Sequence, residues 1–164
     1  MATPPFLHLF CGKIGSGKST LAAEIARQDD TVLISEDAWL SALFADQMST
    51  PADYVDCAAK LRAIMAPHIV DLLKAGISVA LDFPANTLQT RRWARDILDA
   101  VQASHVLHVL DAPDALCLER LKIRNAKGEH PFAVTEIQFH LITQHYEPPS
   151  PEEGFTMKRH NALT

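Results

Sequence analysis

The chain has 164 residues, 48% hydrophobic and 21% charged, a size and composition that suit one soluble domain with a proper core. Its net charge of −5, from 15 basic and 20 acidic side chains, argues against nucleic acid as the principal partner, which a basic stripe would meet. Three widely spaced cysteines (Cys11, Cys57, Cys117) without a C-x-x-C pair fit a reducing compartment, and no apolar run approaches the roughly 18 residues of a membrane span.

Residues 1–5 carry no basic leader, so the expectation is a cytoplasmic protein. Phe6-Leu7-His8-Leu9-Phe10-Cys11 is an apolar run of strand length. Directly behind it stands Gly12-Lys13-Ile14-Gly15-Ser16-Gly17-Lys18-Ser19-Thr20, which fits the phosphate-binding pattern G-x-x-x-x-G-K-[ST]. Glycines let the backbone curl and turn successive N–H groups toward one anion. Lys18 would reach the β- and γ-phosphates, and Ser19 would offer its hydroxyl to Mg²⁺. Leu21, Ala22, Ile25 and Ala26 then recur at helical spacing, so the phosphates would meet a positive helix N-terminus. Strand, glycine loop and helix in this order point to a bound nucleoside triphosphate.

Thr31-Val32-Leu33-Ile34 reads as a second strand, ending in Ser35-Glu36-Asp37 and a short helix through Phe44. A helical stripe runs from 51 to 75, with a kink expected at Pro67, His68 expected as a packed core histidine, and Gly76 near the C-cap. Ile77-Ser78-Val79-Ala80-Leu81 is a third strand, leading to Asp82. Asn86 is expected to cap the next helix, with Gln89 three positions on. Residues 105–110 form a fourth strand, with His105 and His108 on opposite faces. Pro113 opens a helix to about 125, 126–134 is loop, Thr135 and Gln138 have capping-box spacing, and 155–159 is a fifth, edge strand.

This alternation implies a three-layer α/β/α fold with a parallel sheet, whose ligands sit beyond the C-terminal strand ends. Asp37 lies at such an end, either as a base that takes a hydroxyl proton or as a helix cap. Asp82 ends an apolar strand and would bind Mg²⁺ through water or orient an acceptor, the alternative again being a cap. Arg120 and Arg124 share a helical face, either neutralising a migrating phosphoryl group or forming a solvated basic face. Among Arg91, Arg92 and Arg95, the first and last share a face that reads as plain surface, while Arg92 is a candidate acceptor contact. The eight histidines form no zinc-ligand pattern.

On these residues the chain resembles the small P-loop kinases of the AAA_33 group, with the zeta-toxin kinases, chloramphenicol phosphotransferase and the phage polynucleotide kinase domain. The resemblance implies a single nucleoside-kinase-like domain over 1–164, sheet order 2-3-1-4-5, and a short lid near 124–134. It implies that Lys18 and Ser19 serve ATP and Mg²⁺, that Asp37 is the acceptor base, that Arg120 lies by the adenine and that Arg124 is a lid arginine near the transferred phosphate. Polynucleotide kinases and several relatives place an arginine three residues after the base; this chain has Leu40. That fits a neutral or partly apolar small-molecule acceptor, with Trp39, Phe44 and Tyr54 as pocket walls. The leading expectation is therefore a kinase for a small-molecule hydroxyl. An ATP-binding switch is the alternative, and a 5′-hydroxyl nucleic-acid kinase is disfavoured by the acidic charge and Leu40. A GTPase is disfavoured too, since Asp82-Phe83-Pro84-Ala85 is not D-x-x-G. Oligomeric state is not legible.

Overall fold

The computed structural model describes residues 3–128, 130 and 132–161. Its elements run β1 (Phe6–Cys11), α1 (Lys18–Ile25), β2 (Thr31–Ser35), α2 (Glu36–Phe44), α3 (Pro51–Lys74), β3 (Ser78–Pro84), α4 (Leu88–Ala100), β4 (Ser104–Asp111), α5 (Asp114–Lys127), α6 (Glu136–Thr143) and β5 (Met157–Asn161). The five strands form one sheet of order β2-β3-β1-β4-β5. Every pairing is parallel.

The alternation along β1 decides the layers. Leu7, Leu9 and Cys11 point into a core shared with α3 and α4, through Leu61, Met65, Ile69, Ala94 and Ile97. Phe10 points the other way, onto Ala22 and Ile25 of α1. Parallel strands must be joined by crossovers, and here the crossover helices cover both faces. β1 lies in the middle of the sheet, so the glycine loop leaves it between β3 and β4, at the topological switch point where such folds bind ligands.

α3 continues as one helix through Pro67. Ala63, whose carbonyl Pro67 cannot bond, is exposed like Pro67 itself, so water can take up the freed acceptor. His68 is exposed rather than packed. α4 is capped by Thr87, whose side chain accepts from the Thr90 N–H, and not by Asn86, which the loop uses instead. The capping box at Thr135 and Gln138 is present as expected. The three cysteines are free and buried. Among the described residues no helix is long and apolar enough to cross a membrane.

Candidate active site

The loop between β1 and α1 is held by its neighbours before any ligand arrives. Asn86 bridges Gly12 on both sides, accepting from its N–H at 2.9 Å and donating to its carbonyl at 2.8 Å. The Glu147 N–H bonds the Asn86 carbonyl at 2.8 Å, and the Glu147 carboxylate accepts from the first N–H of α4. Gly15 has φ +81°, and a Cβ there would stand 2.6 Å from the Cys117 carbonyl oxygen of α5. A glycine is required at that position by both dihedral and space. Arg120 donates to the Ser16 carbonyl at 3.2 Å and approaches the Gly15 carbonyl at 3.5 Å, which ties α5 to the loop.

Lys18 folds back over the loop and donates to the carbonyls of Gly12 and, at 2.9 Å, Lys13. Burial lowers its pKa to about 8, against the opposing pull of Asp82 and Asp37. The Ser16 hydroxyl is buried and has no partner among the described residues. A buried hydroxyl left unsatisfied costs about 1–3 kcal/mol, so a bound phosphate oxygen has something to relieve. Beside the loop a cavity of about 390 Å³ is lined by Ser16, Gly17, Thr20, Leu21, Glu24, Arg120, His160 and Asn161. It has the size of a small-ligand pocket and starts where the loop ends.

Asp82 lies inside β3, opposite Ser35 of β2. Its carboxyl pKa is raised by burial, and a hydrogen bond from Ser19 and the charge of Lys18 offset part of that. A desolvated carboxylate next to a hydroxyl is a donor set that fits Mg²⁺.

Asp37 is the second residue of α2. Ser35, accepting from the Ala38 N–H, caps that helix, so Asp37 is not occupied as the cap. The preceding residue pins the helix in place. Glu36 is 1% exposed, accepts from the Tyr54 hydroxyl at 2.7 Å and from Arg62 Nη2 at 3.1 Å, and so fixes α2 to α3. Asp37 Oδ2 lies 3.2 Å from His130 Nε2. Arg124 belongs to the same space. Its Nε and Nη2 are buried without a partner among the described residues, its pKa is lowered by burial, and the charge of Asp37 opposes that shift.

The AAA_33 family model, described as an AAA domain, matches residues 7–149. The chain belongs to this family. A putative kinase from Chloroflexus aurantiacus shares the fold with TM-score 0.77 and 18% identity, over 96% of this chain and 85% of its own. The Mycobacterium tuberculosis APS kinase CysC, solved with AMPPNP and APS, has TM-score 0.64 and 21% identity, over 96% and 88%. A chain of the Pnkp1/Rnl/Hen1 complex has TM-score 0.55 and 25% identity, over 73% of this chain and 40% of its own. No curated protein matches the sequence. The fold is that of a kinase-like P-loop NTPase, within the small P-loop kinase group.

Of the remaining candidates in this AAA_33 chain, Trp39 stands 40% exposed on the outside of α2. Leu40 is fully buried, so the position that carries an arginine in several kinases here serves the core. Phe44 and Tyr54 pack against the core. Arg92 is exposed with Glu153 as its charged neighbour, and among the described residues no contact joins it to the loop or to Asp37. Its neighbour Arg91, expected at the surface, is 1% exposed, pairs with Glu153 at 2.6 Å and donates to the Ala85 carbonyl at 2.9 Å. Helical phase alone could not reveal this, because the partner lies 62 residues away. Of the expected lid 124–134, residues 129 and 131 lie outside the described residues.

Sequence reasoning missed Asn86 as the loop clamp, the Glu36–Tyr54–Arg62 network and the nearness of His130 to Asp37. Asn86 had a signal, since it follows a strand end, but its polar side chain was equally fit to cap. His130 had none beyond its place in the expected lid.

Proposed function

We propose that this protein is an ATP-dependent kinase that transfers the γ-phosphate to a hydroxyl of a small-molecule acceptor. One observation carries the reading. Asp37, just beyond the end of β2, lies close enough for its charge to act on both Lys18 of the loop and Arg124, whose guanidinium has two buried nitrogens without a partner among the described residues. A carboxylate for the acceptor proton, a lid-side cation for the migrating charge and a phosphate loop are the parts that in-line phosphoryl transfer requires.

In this reading the loop backbone of residues 12–20 and Lys18 hold the triphosphate, Arg120 borders the nucleobase, and Ser19 and Asp82 hold Mg²⁺. The metal, when bound, neutralises charge on the phosphate oxygens. Asp37 accepts the hydroxyl proton as the acceptor oxygen attacks, and Arg124 and Lys18 stabilise the charge that spreads over the transferred group. The buried Leu40 leaves no cation at the place where an acceptor phosphate would be gripped, which favours an acceptor without one.

The test is an acceptor screen: the full chain, ATP and Mg²⁺, with mass detection of added phosphate on pooled metabolites and antibiotics. A phosphorylated product is expected that Asp37→Asn makes about 10²–10⁴ times more slowly. An oligonucleotide with a free 5′-hydroxyl is expected to stay unmodified. ATP turnover indifferent to every acceptor, together with nucleotide-dependent capture of a protein partner, would sink the kinase reading and favour a switch.

A further inference from the structure

The phosphate loop, Asp37 and Arg124 account for donor, base and charge, but not for the imidazole that faces the base. His130 Nε2 lies 3.2 Å from Asp37 Oδ2. The other ring nitrogen is held locally: His130 Nδ1 accepts from the Phe132 N–H at 3.0 Å and lies 2.9 Å from the Phe132 carbonyl. Phe132 in turn is anchored, edge-on to Tyr54 with ring centroids 6.3 Å apart and packed against the main core. Tyr54 donates to Glu36, the residue before Asp37. The imidazole and the carboxylate are therefore fixed to one another from both ends, through Phe132–Tyr54–Glu36 on one side and by direct approach on the other.

We propose that His130 is a positioning residue for the base: delivered by the chain between α5 and α6, its Nε2–H holds one oxygen of Asp37 and leaves the second for the acceptor hydroxyl. A carboxylate on the first turn of a helix has several side-chain rotamers, and an oriented base is worth more than a mobile one. Catalytic contacts are often poorly aligned without substrate and tighten on binding, so a 3.2 Å approach is a suitable starting geometry. The bookkeeping of the step is simple. The hydroxyl proton passes to Asp37, the new O–P bond forms as the bond to the nucleoside diphosphate breaks, and His130 keeps its own proton.

This inference rests on the assignment of Asp37 as base, and two measurements on the full chain keep the two apart. The first uses no nucleotide: long-range ¹H–¹⁵N spectra of the histidine rings in wild type and Asp37→Ala. The His130 ring signals are expected to move clearly while those of His68, exposed on α3, stay in place. Unmoved His130 signals overturn the pairing. The second measures phosphate release from ATP and Mg²⁺ with water as acceptor. His130→Ala is expected to lower kcat about tenfold with KM for ATP unchanged, and His130→Gln, which retains an N–H donor, to recover at least half of the loss. A wild-type rate in His130→Ala beside a slow Asp37→Asn overturns the proposal and leaves the kinase reading intact. An equal fall in His130→Ala and His130→Gln, with KM raised in both, also overturns it, since that is the mark of a structural role. A wild-type rate in Asp37→Asn instead removes the base assignment itself.

Discussion

In the proposed kinase the ligating groups of the donor side are mostly backbone atoms of one short stretch, residues 12–20, held by Asn86, Arg120 and the wall of α5. On the acceptor side they are side chains from distant parts of the chain: Asp37 on α2, Arg124 on α5, and His130 beyond it. The first arrangement recognises the charge and shape common to nucleoside triphosphates, and backbone geometry is enough for that. The second must recognise one acceptor, so it depends on which side chains the tertiary structure brings together. A rigid half that serves any nucleotide is joined to an assembled half that can diverge.

The contrast is tested most strongly by two substitutions that should fail differently. Lys18→Ala is expected to abolish turnover by about 10³ and to weaken nucleotide binding as well, because Lys18 acts on the donor. Asp37→Asn is expected to reduce transfer to a similar degree with the ATP Kd within about twofold. Isothermal titration beside turnover measurement reads both, and equal loss of nucleotide affinity in the two variants would erase the distinction.

Asn86→Ala tests how far the donor half is prebuilt. It removes both bonds to Gly12, and leaving those loop groups unsatisfied should cost about 2 kcal/mol of stability. ATP affinity should fall with it, and Asn86→Asp, which sets a carboxylate oxygen against the Gly12 carbonyl and a negative charge beside the loop, should bind ATP no better than Asn86→Ala. Denaturant midpoints with and without nucleotide give the measure.

Beneath the donor half, on the sheet face that α1 covers, lies a row of three imidazoles. His8 Nδ1 lies 3.1 Å from His108 Nε2, and His108 Nδ1 lies 2.9 Å from His160 Nε2, with Phe10 stacked on His108. Burial holds the His108 pKa down at about 4, and the charges of its two histidine neighbours and Lys158 push it the same way. A depressed histidine pKa means that the unfolded chain binds the proton better. The stabilisation is therefore complete above the unfolded value near 6.5 and is lost as pH falls toward 4. About 2 kcal/mol should be gone by pH 5 from His108 alone, and urea unfolding at pH 8, 6.5 and 5 checks it. Stability flat over that range would show the row to be more exposed than the fold implies.

The smallest effect concerns Lys18. With its pKa lowered to about 8, the free protein loses this positive charge above pH 8. Nucleotide affinity should fall by up to about tenfold between pH 8 and 9, since binding must restore the proton. Lys18→Arg, which stays charged, should flatten that slope.

The donor loop, the strands and the ends of most helices were legible in the sequence because they depend on neighbours in the chain, whereas the strand order came only with the family resemblance. Glycine spacing, apolar periodicity and capping pairs are all local signals. The failures have a common origin. Arg91 looked like surface because its partner Glu153 is on another element, and Asn86 looked like a cap because nothing local distinguishes a cap from a clamp on Gly12. Arg92 was attractive as a cation, but it is exposed and its charge acts on Glu153.

The sequence by itself determined the curled loop of residues 12–20 and pointed to it as a phosphate cradle, since a glycine-rich turn followed by a helix N-terminus is encoded in consecutive residues. It also marked Asp37 and Arg124 as candidates. Only the tertiary structure decided that those two share one space, that His130 faces the base, and that Asn86 locks the loop. Side-chain convergence depends on how helices pack across the sheet, and no local pattern carries that information.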